Sequence, residues 1–353
     1  MSNIENDIQN VLSIGAAHTL FSQIRNNNKL KKLLAETVLN AESMVGGSDD
    51  YHNLAVEYSR EDDYLTAFSI LEKGMAQYKF NIDLLADAVY YGSNAGQYQK
   101  CEEYAKILQD RPRALWNWRA FTFLIDYYLE KADWTEDISE MLKNTNIALA
   151  LAQDYQAYLP EEEKGYNAEY KVRMVRKCFF REYKLEAENE ETRNKYEQQE
   201  KDEQKFAEEA LLRAINAKSF PAVQCCVKYA DSLFESCRYE EVIPICKQAL
   251  AYAEVQPSVN LGYLLYLRAL AMDAVVHQRG LYDESHVNEV YQAYEVAKRA
   301  NSGRSAYTRT ISSRMDILAG LTGFEPAKTK ITPDDPRTDD NLMNLISQLS
   351  GKE

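Results

Sequence analysis

The stretch that decides the fold runs from Tyr51 to Gly74, YHNLAVEYSREDDYLTAFSILEKG. Apolar and small residues recur at helical spacing twice within it: Tyr51, Leu54, Ala55 and Tyr58, then, past Glu61-Asp62-Asp63, Tyr64, Ala67, Leu71 and Gly74. The acidic triplet interrupts the apolar pattern and predicts a turn between two helices. A step of 34 residues carries Tyr64 to Tyr98, Ala67 to Cys101, Leu71 to Ala105 and Leu54 to Ala88, and apolar or small character survives each time. Small residues are needed where antiparallel helices cross closely, and aromatic ones fill the wider gaps to the next pair. The 25 tyrosines suit that filling role. No single hairpin of this kind buries its own apolar faces, so successive hairpins must stack.

These residues resemble the tetratricopeptide (TPR) repeat family, whose pattern runs W-x2-L-G-x2-Y on one helix and A-x3-F on the next. Tyr51-x2-Leu54-Ala55-x2-Tyr58 with Ala67-x3-Leu71 carries the match. The unit from Leu85 has Gly96-x-Tyr98 at its turn and Pro112 at its close. A third unit opens with Trp118-x2-Phe121 and then departs: its turn, Glu130 to Trp134, is longer, and its second helix through Ile147 to Ala152 overruns the repeat. Clear resemblance covers Tyr51 to Pro112 and Ser219 to Ala300. It implies an all-α fold, a superhelical stack of TPR-like helical hairpins (an α-solenoid) with an irregular charged helical insertion.

Around the repeats the chain divides by pattern. Residues 1–45 read as two or three amphipathic capping or docking helices, the last with an apolar stripe of Leu30, Leu33, Leu34, Val38 and Ala41. Asn26-Asn27-Asn28 makes the turn before it; Gly46-Gly47 stops it, with Ser48 or Asp49 as the next cap. Residues 46–159 hold the first TPR-like repeats. In 160–215 the repeat is lost: Glu186 to Glu209 carries ten acidic and four basic residues and almost no apolar stripe, as in a solvated helix or flexible insertion. Just before it, Tyr170 to Lys184 interleaves Lys171, Arg173, Arg176, Lys177, Arg181 and Lys184 with aromatics, as a nucleic-acid stripe would. Val172, Val175, Phe179 and Tyr183 also form an ordinary core stripe there, with the basic residues able to pair with the acidic stretch that follows.

Repeat spacing resumes over 216–321 after Ser219-Phe220-Pro221. Cys226, Tyr229, Ala230 and Leu233 share one helix, and Tyr239, Val242, Cys246 and Ala249 the next. After Pro257-Ser258 come Leu264, Leu267, Ala271 and Ala274, then Val290, Tyr294 and Ala297, with Thr308 to Leu318 as a final capping helix. The tail, 322–353, ends in a short amphipathic segment with Leu342, Leu345, Ile346 and Leu349 on one face. Such a length is ordered only when docked, on its own chain, on a second copy or on another protein.

Composition narrows the function. The 353 residues contain 13 glycines and 8 prolines, about half the usual share, which fits long helices with short connections. With 41 basic and 55 acidic side chains the formal net charge is −14, so the overall footprint of a nucleic-acid or anionic-membrane binder is missing. The start, Met1 to Asp7, has neither a basic nor an apolar region of a secretory signal, and the strongest apolar run, Val259 to Leu267, is about half a membrane span. A cytoplasmic location is expected. The six cysteines form no CxxC pair, and neither GxGxxG nor GxxxxGK[ST] occurs. Asp49-x-x-His52 and Asp283-x-x-His286 have half of a di-metal spacing, but both aspartates stand where a helix should begin, and N-capping is the plainer reading. No metal, cofactor or catalytic site is expected.

What the resemblance implies is a non-enzymatic adaptor or scaffold that holds a peptide or helix in the groove lined by the first helix of each hairpin. The family's geometry places Asn53, Val56 and Arg60, then Asp87, Tyr90 and Asn94, then Arg119, Phe123 and Asp126 on that groove. TPR proteins that clamp the acidic end of heat-shock chaperones use lysine and asparagine where this chain has His52 and Val56, so that clamp is not expected. The partner would be a protein or peptide, with self-association through the tail as a further mode and no membrane. The alternatives are a regulator of the bacterial peptide-receptor kind, and a nucleic-acid binder or metal enzyme built on helical hairpins.

Overall fold

The computed structural model describes residues 3–217, 222–253 and 261–322. Sixteen α-helices and no strand element occur among the described residues. The chain divides into two compact units between Glu188 and Asn189, within the stretch 160–215.

Unit one begins with α1 (Asn3–Gln9), α2 (Ile14–Ile24) and α3 (Asn28–Asn40). Leu30, Leu34, Ala35 and Val38 form the buried stripe of α3. That helix ends at Asn40, earlier than Gly46-Gly47 suggested. The segment after it pairs with the chain before α2: Ile14 N–H donates to Val45 at 2.9 Å, and Val45 N–H to Leu12 at 3.1 Å. Gly47, not Ser48 or Asp49, then caps α4 (Ser48–Ser59), with the Asp50 carboxylate accepting from the Gly47 N–H at 2.9 Å.

The decisive stretch folds as read. Tyr51, Leu54, Ala55 and Tyr58 of α4 are buried. Asp62 takes a left-handed φ of 62° in the turn, and the Asp63 side chain caps α5 (Tyr64–Gln77) through the Thr66 N–H. Ala67, Phe68, Ile70, Leu71, Gly74 and Met75 are the buried face of α5. Gly74 lets the two helices touch, because a Cβ there would lie 2.8 Å from the Tyr51 ring. The next hairpin, α6 (Ile82–Asn94) and α7 (Tyr98–Gln109), crosses as closely: a Cβ on Gly92 would lie 2.6 Å from Cys101 Sγ. A turn of 3₁₀ helix, Arg113–Leu115, leads into α8 (Trp118–Asp133) and α9 (Ile138–Tyr158), the third and longest of these hairpins.

First helices pack on first helices, α2 on α4, α4 on α6 and α6 on α8, and α3 packs on α5. α10 (Glu163–Glu186) continues that order, lying against both α8 and α9 as the first helix of a further hairpin would. The helix stack therefore continues beyond Pro160. Its buried side holds Gly165, Glu169, Val172 and Phe180, with Phe179 only half-buried. Glu169 is 1% exposed yet satisfied, by Gln156 Nε2 at 2.6 Å and Arg173 Nε at 3.1 Å. Such a buried carboxylate hides the apolar stripe from a hydropathy reading.

Unit two starts with α11 (Glu190–Asn216), capped by Asn189. The acidic stretch is thus a helix, and its buried apolar positions, Ala207, Ala210, Leu211, Ala214 and Ile215, all fall in its last third, where it packs on α12 (Val223–Glu235). α12 and α13 (Tyr239–Ala253) form one hairpin, with Cys226, Tyr229, Ala230, Leu233, Val242, Cys246 and Ala249 inside. α14 (Leu261–Arg279) and α15 (Glu284–Ala300) form another, followed by α16 (Ser305–Thr322). Asp283 caps α15 through the His286 N–H, as its place before the helix suggested. Ala274 is only half-buried on α14, whereas Leu264, Leu267 and Ala271 are core. The helix-start signals Ser219-Phe220-Pro221 and Pro257-Ser258 and the tail residues Leu342, Leu345, Ile346 and Leu349 lie outside the described residues.

Candidate functional site

The face shared by α4, α6 and α8 carries the nine expected groove residues in three states. Asn53, Arg60 and Asn94 are exposed; Val56, Tyr90, Arg119, Phe123 and Asp126 are half-buried. Asp87 differs from a solvent-facing groove residue, being only 1% exposed. The imidazole of His52 closes over it, with Nδ1 bonded to Asp87 Oδ2, and the Arg119 Nε lies 3.8 Å from Oδ1. Burial pushes the Asp87 carboxyl above its ordinary range, with His52 and Arg119 opposing the shift only in part.

Two pairs of expected residues meet. Arg119 meets Asp87, and also sets Nη1 3.3 Å from His52 Nε2. Tyr90 and Phe123 stack, with centroids 4.5 Å apart and planes at 14°. Three others have partners of their own. Arg60 donates to Glu57 at 2.6 Å, Asn94 to the Tyr90 carbonyl at 2.8 Å, and Asp126 accepts from Lys171 of α10 at 2.8 Å.

Sequence reasoning put His52 on this face without foreseeing its bond to Asp87, and missed Trp118 and Lys164 there. The Trp118 ring lies 6.5 Å from that of Phe123, and Lys164 Nζ sits 3.7 Å from the Trp118 centroid. A usable signal existed in the repeat length. Asn117 of α8 donates to Asp83 of α6, 34 residues earlier, and His52 reaches Asp87, 35 residues on. Polar residues one repeat apart on first helices are neighbours in space, just as i and i+4 are on one helix.

Equivalent helices thus recur at the expected interval, cross at small residues and bond to their repeat mates. The fold is TPR-like. No family model matches the chain, and no curated protein matches it. Among solved structures it is similar to a thermophilic TPR protein of Thermus thermophilus, at 16% identity over 65% of this chain and 100% of that one, with a TM-score of 0.41. It is also similar to a circular tandem repeat protein with a novel repeat topology, at 15% identity over 98% of this chain and 82% of that one, with a TM-score of 0.27.

Other candidate chemistry resolves into structure. Among the described residues no group of three or more His, Cys, Asp and Glu side chains could hold a metal ion, and no helix is long and apolar enough to cross a membrane. In the basic stretch of α10, Lys171 pairs with Asp126, Arg173 with Glu169, and Arg176 donates to Asn146 at 2.6 Å. These contacts run to α8, α9 and α10 itself. A cleft of about 450 Å³ beside α3 and α5 mixes Lys31, Lys32, Glu36, Glu61 and Asp63, and Lys31 is neutralised by Glu61.

Proposed function

We propose that this chain is a non-enzymatic, cytoplasmic adaptor that binds a peptide or helix of a protein partner along the first-helix face of unit one. The observation that supports this most is the Tyr90–Phe123 stack. Two nearly parallel rings stay half-exposed on a face that also carries amide, carboxylate and guanidinium groups. A flat aromatic floor among fixed polar groups suits an extended segment with one apolar anchor, since the rings give contact area at small entropic cost while the polar groups fix register. The engagement of Lys171, Arg173 and Arg176 within unit one weighs against the nucleic-acid alternative.

The test is affinity capture from native lysate with the full-length chain and with a Tyr90→Ala, Phe123→Ala double variant. A stoichiometric partner lost by the double variant supports this face; capture unchanged by it overturns the assignment. The same capture with a chain ending at Leu321 measures the share of Leu342, Leu345, Ile346 and Leu349, whose docking, in cis or on a second copy, is the second mode we propose.

A further inference from the structure

We infer that Trp118 marks an anion subsite, formed by Arg119 of α8 and Lys164 of α10, which takes an Asp or Glu side chain of the partner about two residues from the apolar anchor. The inference rests on the peptide-binding reading above and names the chemistry of that ligand.

Arg119 is held in place without being neutralised at close range. Its nearest carboxylate oxygens are Asp83 Oδ1 at 3.6 Å and Asp87 Oδ1 at 3.8 Å. Both acids have nearer partners, Asn117 Nδ2 at 2.6 Å for Asp83 and His52 for Asp87. The only side-chain hydrogen-bond contacts of Arg119 are those of Nη1 with the His52 ring, so Nη2 has no acceptor among the described residues. A guanidinium normally makes short, charge-assisted bonds when an anion is within reach. Here the chain supplies the positioning and leaves that bond unmade.

Lys164 adds a second cation at the same ring. It is exposed, its Nζ is 3.7 Å from the Trp118 centroid, and it has no acidic partner among the described residues. The Arg119 guanidinium carbon lies 5.5 Å from that centroid. Cation–π contact holds both groups at the indole without cancelling their charge.

A carboxylate fits better than a phosphate. It is planar and singly charged, matching one guanidinium edge. A phosphate dianion would face Asp83 and Asp87, both within 4 Å of the same guanidinium. The spacing follows from the rings: Phe123 is 6.5 Å from Trp118, close to the separation of side chains i and i+2 on one face of an extended peptide, about 6.7 Å.

The test screens the full-length chain against short synthetic peptides carrying one fixed Phe, with each other position randomised in turn. The expected selection is Asp or Glu about two residues from the Phe. In the selected peptide, Glu→Gln should weaken binding about tenfold, while phosphoserine in place of Glu should not improve it. Arg119→Met with Lys164→Met should bind the Glu and Gln peptides alike. Lys164→Met alone, at an exposed position with no acidic partner to disturb, should narrow the difference. Selection of apolar residues without an acid would overturn the anion subsite and leave the groove reading standing; so would a preference for phosphoserine, or variants that weaken both peptides equally. Selection of nothing at all would overturn both.

Discussion

The Tyr294 hydroxyl donates to Asp273 Oδ2 at 2.6 Å, where both residues are buried. Arg314 Nε reaches the same oxygen at 2.7 Å, and His277 Nε2 lies 3.1 Å from the other. One carboxylate of α14 therefore ties that helix to α15 and α16, through the tyrosine hydroxyl and the guanidinium. Tyr294→Phe removes a donor from a buried charged acceptor, and the expected cost is about 2 kcal/mol, or about thirtyfold in the opening equilibrium. Hydrogen exchange of peptides from α14 to α16 reads that change directly, and unaltered protection would show that the bond adds nothing.

Gly74→Ala should destabilise unit one. The added carbon would lie 2.8 Å from the Tyr51 ring, which is itself fully buried, so neither side can yield without moving a helix. Overpacking of this kind costs about 1–3 kcal/mol. Gly320→Ala is the matched control, because nothing lies within 4 Å of its Cβ position on α16 and a helical alanine gains about 0.5–1 kcal/mol over glycine. Thermal melts of the two variants should move in opposite directions.

Two carboxylates give opposite pH signs. Burial pushes Glu102 up, but hydrogen bonds from Lys131 and from Tyr127 at 2.9 Å outweigh it and hold the group below its ordinary range. Its stabilising share is present above the unfolded value and is lost as pH falls through the folded one. Asp87 is raised, so its charged form costs stability, and its contribution declines as pH rises through the folded value. Lys131→Met should flatten the acid limb of stability. The cost at neutral pH should stay under about 1 kcal/mol, since Glu102 is 32% exposed and the pair is screened. Urea midpoints across the acid range, with carboxyl NMR titration of both groups, check the two signs.

Thiol reactivity should split the six cysteines. Cys178 and Cys237 are exposed, whereas Cys101, Cys225, Cys226 and Cys246 are buried. Burial pushes the thiols of Cys101 and Cys246 up to about 12, which removes the reactive thiolate at neutral pH. A disulfide-exchange reagent should titrate two thiols in the native protein and the other four only on unfolding. A third fast thiol would indicate local opening of a hairpin.

The helices of the central hairpins were legible because burial alone sets the spacing of residues such as Tyr51, Leu54, Ala67 and Leu71. The end of α3 was not, since it depends on backbone bonds between Val45 and a segment more than thirty residues earlier. The place of α10 was obscured for a different reason: a satisfied Glu169 occupies its core face, so a polar letter stands at a buried position. At the candidate site, Tyr90 and Phe123 could be placed from the repeat frame, whereas His52 acquires its meaning only from Asp87 and Arg119 on other helices. Such partners leave no local mark in the sequence.

Arg119 contacts His52 across 67 residues, spanning two hairpins rather than one. This has a consequence for synthesis. At about 5–20 residues per second, a ribosome delivers Arg119 roughly 3–13 s after His52. Helical hairpins close in far less time than that. The α4–α5 and α6–α7 hairpins will therefore have formed, with His52 and Asp87 already joined, before the guanidinium emerges to seal them. The order of translation sets the order in which this polar chain is assembled, and a pause before α8 would leave a nascent chain whose first two hairpins are folded but unlatched.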